Sequence, residues 1–212
     1  MSLRRLFVKI CGITTQQDAR VAVEAGADAI GFVFWPGSAR CVEVDVAREI
    51  GAGLPASVVR VGVFVGASGE EMQRTAEAAH LDLLQLHGDE QPETLPALCR
   101  PAWKALRVGS APPPPRELRR WAGRVSGILL DTQSASAPGG SGESFDWSLA
   151  RGAREHVGFL MLAGGLRADN VRHAIEIAQP DGVDVSSGVE ASPGRKDEAK
   201  VRAFVAAVRG AA

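Results

Sequence analysis

The feature that most constrains this chain is an alternation: eight short apolar runs separated by stretches that carry helical periodicity. The runs are Leu6–Cys11, Ala29–Phe34, Val58–Val65, Leu81–Leu86, Ala102–Leu106, Val125–Asp131, Val157–Leu162 and Gly182–Val185. Several are rich in Val, Ile, Leu and Phe without polar alternation, the pattern of parallel strands covered on both faces. Between them, Val171, Ala174, Ile175 and Ala178 fall at i, i+3, i+4 and i+7, as do Val201, Phe204, Val205 and Val208. Thr15 with Asp18, and Ser68 with Glu71, have the spacing of helix starts, and Gly26 stands where a helix needs a left-handed residue to stop. The sixth helix is the poorest, because Gly139–Gly142 and Phe145–Trp147 leave little chain before the seventh strand.

Eight strand–helix repeats predict an α/β fold of the (β/α)8 TIM-barrel class, near the small end of its size range. A doubly wound open sheet is the runner-up, because it alternates strands and helices in the same way. Strand count favours the barrel. No internal linker divides the chain, so residues 1–212 are expected to form a single domain. Pro112–Pro115 reads as a stiff loop before a charged helix.

Composition works by exclusion. Lys+Arg (24) and Asp+Glu (25) nearly cancel, so no net field draws nucleic acid or an anionic membrane. Cys11, Cys41 and Cys99 are odd in number and far apart, which argues against a disulfide framework. No CxxC or paired-histidine spacing points to a metal. Lys9 breaks the first apolar stretch too early for a signal peptide, and no window approaches the roughly 20 apolar residues of a membrane span. The expectation is a cytoplasmic protein acting on a small molecule, with no obligatory protein partner.

In a barrel, chemistry collects at the C-terminal ends of the strands. Cys11, Arg40, His87, Asp131 and Asp184 all fall at or just beyond such ends. A free cysteine is most often an inert small hydrophobe, but Cys11 directly precedes Gly12 at a strand mouth. Asp131 closes the run Gly127-Ile128-Leu129-Leu130, where a carboxylate must face the barrel mouth or a buried partner. His87 and Arg40, read alone, are a strand-end histidine and a loop arginine. Asp184, between Val183 and Val185, sits too deep for an ordinary solvated charge.

Gly164-Gly165 after the seventh run, with Ser186-Ser187-Gly188 after the eighth, suit a phosphate, since glycine lets backbone N–H groups approach an anion closely. Loops after strands seven and eight are the recurrent phosphate site of these barrels. Gly139-Gly140-Ser141-Gly142 lacks the lysine of a Walker motif and completes no GxGxxG, so it reads as a lid.

These segments, in this order, resemble the phosphoribosylanthranilate isomerases of tryptophan biosynthesis. The resemblance runs from Val8 to Phe204, through Lys9-Ile10-Cys11-Gly12-Ile13-Thr14, Gly31-Phe32-Val33-Phe34, Val61-Gly62-Val63-Phe64 and Gln85-Leu86-His87-Gly88-Asp89-Glu90. It continues through Leu130-Asp131-Thr132, Phe145-Asp146-Trp147, Ala163-Gly164-Gly165-Leu166, Asp184-Val185-Ser186-Ser187-Gly188-Val189-Glu190, Gly194 and Lys196-Asp197. The resemblance implies an Amadori rearrangement of an N-(5-phosphoribosyl)anthranilate, without metal or organic cofactor. It also implies Cys11 as the base that removes the C2 proton and Asp131 as the acid that protonates the ring oxygen. Arg40, His87 and Asp184 would line the substrate, Asp184 near the anthranilate amino group. Gly164, Gly165, Ser186, Ser187 and Gly188 would grip the phosphate. After the second strand the family usually reads Ser-Pro-Arg followed by Tyr or Phe; here Ser38-Ala39-Arg40-Cys41 keeps only the arginine and the serine.

At pH 7 an unperturbed cysteine is a few per cent thiolate, and an unperturbed aspartic acid is protonated about one part in a thousand. Two negative charges in one site resist coexisting, so the expectation is one proton shared between Cys11 and Asp131. Lys9 shares a strand face with Cys11 if both point inward, and would then act as an electrostatic helper. Other phosphosugar barrels, such as sugar-phosphate epimerases and indole-glycerol-phosphate synthase, share the phosphate grip; a non-catalytic phosphometabolite-binding barrel is a different class. The Cys11–Asp131 pair favours the isomerase over both.

Overall fold

In the computed structural model, which describes residues 5–93, 97–132 and 146–211, eight parallel strands close into a barrel. They are β1 (Phe7–Cys11), β2 (Ala29–Val33), β3 (Val59–Phe64), β4 (Leu83–Leu86), β5 (Ala102–Val108), β6 (Gly127–Thr132), β7 (Leu160–Leu162) and β8 (Gly182–Val185). Strand β8 closes the ring on β1, with Lys9 paired in register with Asp184. The helices are α1 (Gln16–Ala25), α2 (Val44–Ala52), α3 (Gly69–Ala78), α4 (Pro115–Arg120), α5 (Ser148–Arg151), α6 (Val171–Ala178) and α7 (Glu198–Arg209). A two-stranded hairpin, β9 (Glu190–Ser192) and β10 (Arg195–Lys196), projects between β8 and α7.

Local chemistry accounts for the helix ends. Thr15 accepts a hydrogen bond from the Asp18 N–H and Ser68 one from Glu71, each satisfying a donor that the first helical turn leaves free. Gly26 ends α1 at φ 101°, a left-handed conformation that any Cβ would strain. The periodic residues of α6 and α7 are all buried against the barrel, and each Val, Ile or Phe so covered contributes about 1.5–3 kcal/mol.

The sixth helix is as short as its sequence suggests, and one other expectation changes. The sixth helix is reduced to α5, one turn started by the Asp146 carboxylate on the Ser148 N–H, followed by a 3₁₀ turn over Gly152–His156. Between β4 and β5 the described residues form no helix, unlike the other connections of the regular alternation. Pro92, Pro96 and Pro101 punctuate that connection, and each removes a backbone donor and blocks the turn before it. The candidate lid Gly139–Gly142 lies outside the described residues.

Alternate strand residues divide between two cores. Val8, Ile10, Ile30, Phe32, Leu84, Leu86, Ile128 and Leu130 face the helices. Ala29, Val61, Leu83, Ala105, Leu129 and Met161 fill the barrel axis, above a plug of Phe7, Trp103 and Phe159. Trp103 stacks on Phe159 at 5.7 Å and meets Phe7 edge-on at 5.8 Å. Gly127 makes room for that plug: a Cβ there would lie 2.9 Å from Trp103. The lower part of the barrel is thus solid, and the inward-facing polar residues Lys9, Gln85, Asp131 and Asp184 are left to the upper part.

Candidate active site

The C-terminal mouth of the barrel holds a cleft, open to solvent, with a cavity volume of about 90 Å³. All ten residues singled out from the sequence line it: Cys11, Arg40, His87, Asp131, Gly164, Gly165, Asp184, Ser186, Ser187 and Gly188. The strand period brings them together, since inward residues at strand ends converge on one mouth.

Cys11 is the last residue of β1 and is buried, with Val33, Val63 and Trp35 packed around it. Two residues earlier, Lys9 is wholly enclosed, and its Nζ donates to both carboxylate oxygens of Asp184 at 3.0 Å. Burial alone would depress the lysine pKa, but Asp184 and Cys11 beside it outweigh burial and hold it above the ordinary value. For Cys11 burial is the larger influence and raises the thiol pKa, with the Lys9 ammonium opposing it. Asp184 is therefore the anchor of Lys9 in this structure as well as a wall of the cleft.

Arg40 is fixed by a forked pair of bonds to Glu190, Nε to Oε1 at 2.8 Å and Nη2 to Oε2 at 2.7 Å. Lys196 donates to the same Glu190 Oε1 at 2.8 Å and to the Ser186 carbonyl at 3.3 Å. Burial would raise the Glu190 carboxyl, but Arg40 and Lys196 outweigh it and hold it below the usual range. Lys196 itself is lowered, chiefly by burial. In this loop, where Ala39 rather than proline precedes Arg40, the Ser38 hydroxyl accepts from the Arg40 N–H at 3.1 Å and the Ser38 carbonyl from Cys41. Side-chain hydrogen bonding and the Glu190 fork place the arginine there.

His87 joins Asp131 on one side of the cleft. Its Nε2 lies 3.1 Å from Asp131 Oδ2, its Nδ1 lies 2.8 Å from Gln85 Nε2, and Asp131 Oδ1 accepts from the Thr132 N–H at 2.8 Å. The loop beyond His87 is tied down by Glu90, which accepts from the Gly66 and Gly88 N–H groups and pairs with buried Lys104 at 2.8 Å. On the opposite side, Gly164 and Gly165 are successive left-handed residues, φ 83° and 63°. The Asn170 side chain holds that loop by donating to the Gly165 carbonyl at 2.9 Å. A Cβ on Gly164 would overlap Thr132, and one on Gly188 would overlap the Leu166 carbonyl. Gly164 lets the β7 loop lie against the end of β6, and Gly188 lets the β8 loop touch the β7 loop. The Ser186 hydroxyl between them is buried with no protein partner, a donor left for a ligand.

Sequence reading missed Trp35, Gln85, Glu190 and Lys196 as site components. Gln85 carried a signal, since it is one strand period before His87. Glu190 carried none by itself, because what gives it a role is contact with Arg40, 150 positions away, and Lys196 enters only through Glu190 and Ser186.

Residues 8–207 match the family model described as N-(5'-phosphoribosyl)anthranilate (PRA) isomerase. The chain belongs to this family. A relative from Stutzerimonas stutzeri, an N-(5'-phosphoribosyl)anthranilate isomerase, is 51% identical over 201 residues, spanning 95% of this chain and 96% of the relative. The crystal structure of phosphoribosyl anthranilate isomerase from Thermus thermophilus superposes with a TM-score of 0.87 at 38% identity, covering 97% of this chain and 99% of that one. A phosphoribosyl anthranilate isomerase crystallised with reduced 1-(o-carboxyphenylamino)-1-deoxyribulose 5-phosphate gives a TM-score of 0.81 at 41% identity, covering 97% and 99%. Among the described residues no helix is long and apolar enough to cross a membrane.

Proposed function

We propose that this single barrel converts N-(5-phosphoribosyl)anthranilate to 1-(2-carboxyphenylamino)-1-deoxyribulose 5-phosphate, with Asp131 as acid and Cys11 as base. The observation that carries the assignment is the opening of Cys11 and Asp131 onto one cleft whose far wall is the paired Gly164-Gly165 and Ser186–Gly188 loops. The isomerase activity itself is that of the family; the division of labour among residues is the proposal.

The phosphate seats on backbone N–H groups of the two glycine loops and on the unpartnered Ser186 hydroxyl, which fixes the sugar at the other end. Asp131 gives a proton to the furanose ring oxygen, the C1–O bond breaks, and the anthranilate nitrogen takes up the electron deficiency as an iminium. The Cys11 thiolate then removes the C2 proton, and the C–H electron pair moves to form the enamine, which tautomerises to the ketone. A buried thiol resists ionisation. The nearby cations Lys9, Arg40 and Lys196 counter this, because against Asp184 and Glu190 they leave one positive charge that a thiolate neutralises. Trp35 supplies a flat apolar wall beside Cys11 for the aryl ring. A phosphate dianion does not cross a bilayer unaided, so the reaction belongs in the cytoplasm, where such esters are made.

The test is loss of anthranilate-type fluorescence from freshly generated phosphoribosylanthranilate. The wild-type chain is expected to consume it without added metal or cofactor; a folded chain that does not would overturn the assignment.

A further inference from the structure

We infer that Gln85 is a positioning residue for the acid, setting the protonation geometry of Asp131 through His87. The inference rests on Asp131 being the acid, as proposed above.

Gln85 points into the barrel from β4 and is 1% exposed. Its register neighbours, Val63 on β3 and Trp103 on β5, offer its amide no charged group. Its Nε2 lies 2.8 Å from His87 Nδ1, and His87 Nε2 lies 3.1 Å from Asp131 Oδ2. An amide nitrogen only donates, so Nδ1 must be the accepting nitrogen. A neutral imidazole that accepts at Nδ1 carries its hydrogen on Nε2, which then donates to Asp131. The Asp131 carboxylate takes a second bond at Oδ1 from the Thr132 N–H. This arrangement fits Asp131 as an anion, the form it has after giving up its proton.

The second observation is the other half of the amide. Gln85 Oε1 is buried and has no hydrogen-bond partner. Rotation of the amide by half a turn presents Oε1 to His87 Nδ1. The imidazole then carries its hydrogen on Nδ1, and Nε2 accepts from a protonated Asp131. Between the two states the former Nε2 hydrogen ends on Oδ2 and one proton from water ends on Nδ1, so the balance is one proton added. The imidazole is neutral in both. One carboxamide thus serves the spent and the reloaded acid, which explains why a polar side chain occupies an apolar strand neighbourhood and leaves one atom unpaired. Among the described residues, the other charged groups lining the cleft are Arg40 and Asp184, the latter paired with Lys9, with Cys11 opposite; Arg107 is the register partner of Asp131 on β5, and Glu90 and Lys104 lie behind Gly88.

Gln85→Glu keeps the size but offers only acceptors, so it holds Nδ1–H permanently and favours an imidazolium paired with ionised Asp131. Gln85→Leu removes both amide atoms. The experiment is ¹⁵N NMR of histidine-labelled protein, with the His87 signal assigned by its loss in His87→Asn, alongside kcat and KM. In the wild type, His87 is expected to be neutral with the hydrogen on Nε2 when Asp131 is ionised. In Gln85→Glu it should read as imidazolium at neutral pH, with kcat at least tenfold lower, KM within about threefold, and a changed pH profile. Gln85→Leu should show mixed tautomers. A neutral His87 with unchanged tautomer in the glutamate variant, or an unchanged kcat and pH profile, overturns the inference. Asp131→Asn measured in parallel separates the two claims: if it turns over normally, the acid assignment has failed, whereas its collapse beside silent Gln85 variants refutes the role of Gln85 alone.

Discussion

The Lys9 ammonium lies 3.0 Å from both carboxylate oxygens of Asp184, its register partner on the neighbouring strand. Both ions are buried: Lys9 is fully enclosed, and Asp184 is 6% exposed where it lines the cleft. The pair gives the lower wall of the cleft a fixed cation, one strand period below Cys11 and on the same face. Arg40 and Lys196 approach from the other side through Glu190. The thiol therefore sits between burial, which keeps it protonated, and cations, which draw the proton off.

Removing one member of the Lys9–Asp184 pair should cost more than removing both. Lys9→Met leaves an uncompensated buried carboxylate and should lose about 3–5 kcal/mol of stability, whereas a buried pair replaced by apolar groups is often close to neutral. Lys9→Met/Asp184→Leu should accordingly recover most of the loss in urea denaturation while still turning over at least tenfold slower, about 1.4 kcal/mol in barrier. Equal stability of the single and double variants would contradict the pairing.

Thiol reactivity gives the sign of the Cys11 shift. Burial raises its pKa and Lys9 opposes that rise, so below the midpoint the thiolate falls tenfold per pH unit. In a Cys41→Ser/Cys99→Ser background, alkylation by iodoacetamide should increase with pH through a midpoint above that of free cysteine, about 8.5. Adding Lys9→Met should move the midpoint higher still. A midpoint below the free value would mean that the cations dominate.

Much of this was readable in advance, for definable reasons. Strand cores were legible because a strand covered on both faces has no polar alternation to confuse it, and Thr15, Ser68 and Gly26 were legible because capping is local chemistry. The period of two correctly put Lys9 on the face of Cys11. What stayed hidden depended on contacts far apart in the chain: the fork between Arg40 and Glu190, through which Lys196 joins the site, and the attachment of His87 to Asp131. That the described residues between β4 and β5 form no helix was hidden by the regularity of the pattern elsewhere, although Pro92 and Pro101 argued against one.

Glu190→Gln should free Arg40 without emptying its space. With no carboxylate to hold the guanidinium fork, KM should rise by about tenfold, more than kcat falls, since a charge-assisted bond of 1.5–3 kcal/mol is lost. The same carboxyl links folding to pH. Its folded pKa is depressed, so it stabilises above the unfolded value of about 4.3 and loses that contribution as pH falls through the lower folded value. Wild-type stability should therefore decline more steeply in acid than that of Glu190→Gln, measured by urea midpoints at a series of pH values.

Gly188→Ala tests the phosphate grip. The new methyl would overlap the Leu166 backbone carbonyl, forcing the loops after β7 and β8 apart. Inhibition by inorganic phosphate should weaken, and KM should rise by about tenfold or more with a smaller change in kcat, because remote binding energy is what is lost. A change confined to kcat would place the phosphate elsewhere.

The central claim is that Cys11 and Asp131 divide proton transfer between them. Its most direct measurement is single-turnover consumption of phosphoribosylanthranilate by wild type, Cys11→Ala and Asp131→Asn, each first shown to bind reduced 1-(o-carboxyphenylamino)-1-deoxyribulose 5-phosphate. Both variants should bind this ligand within a few fold of wild type yet react about 10²–10⁴ times more slowly, the usual range for loss of a general acid or base. Either variant reacting at near the wild-type rate would contradict the role given to that residue.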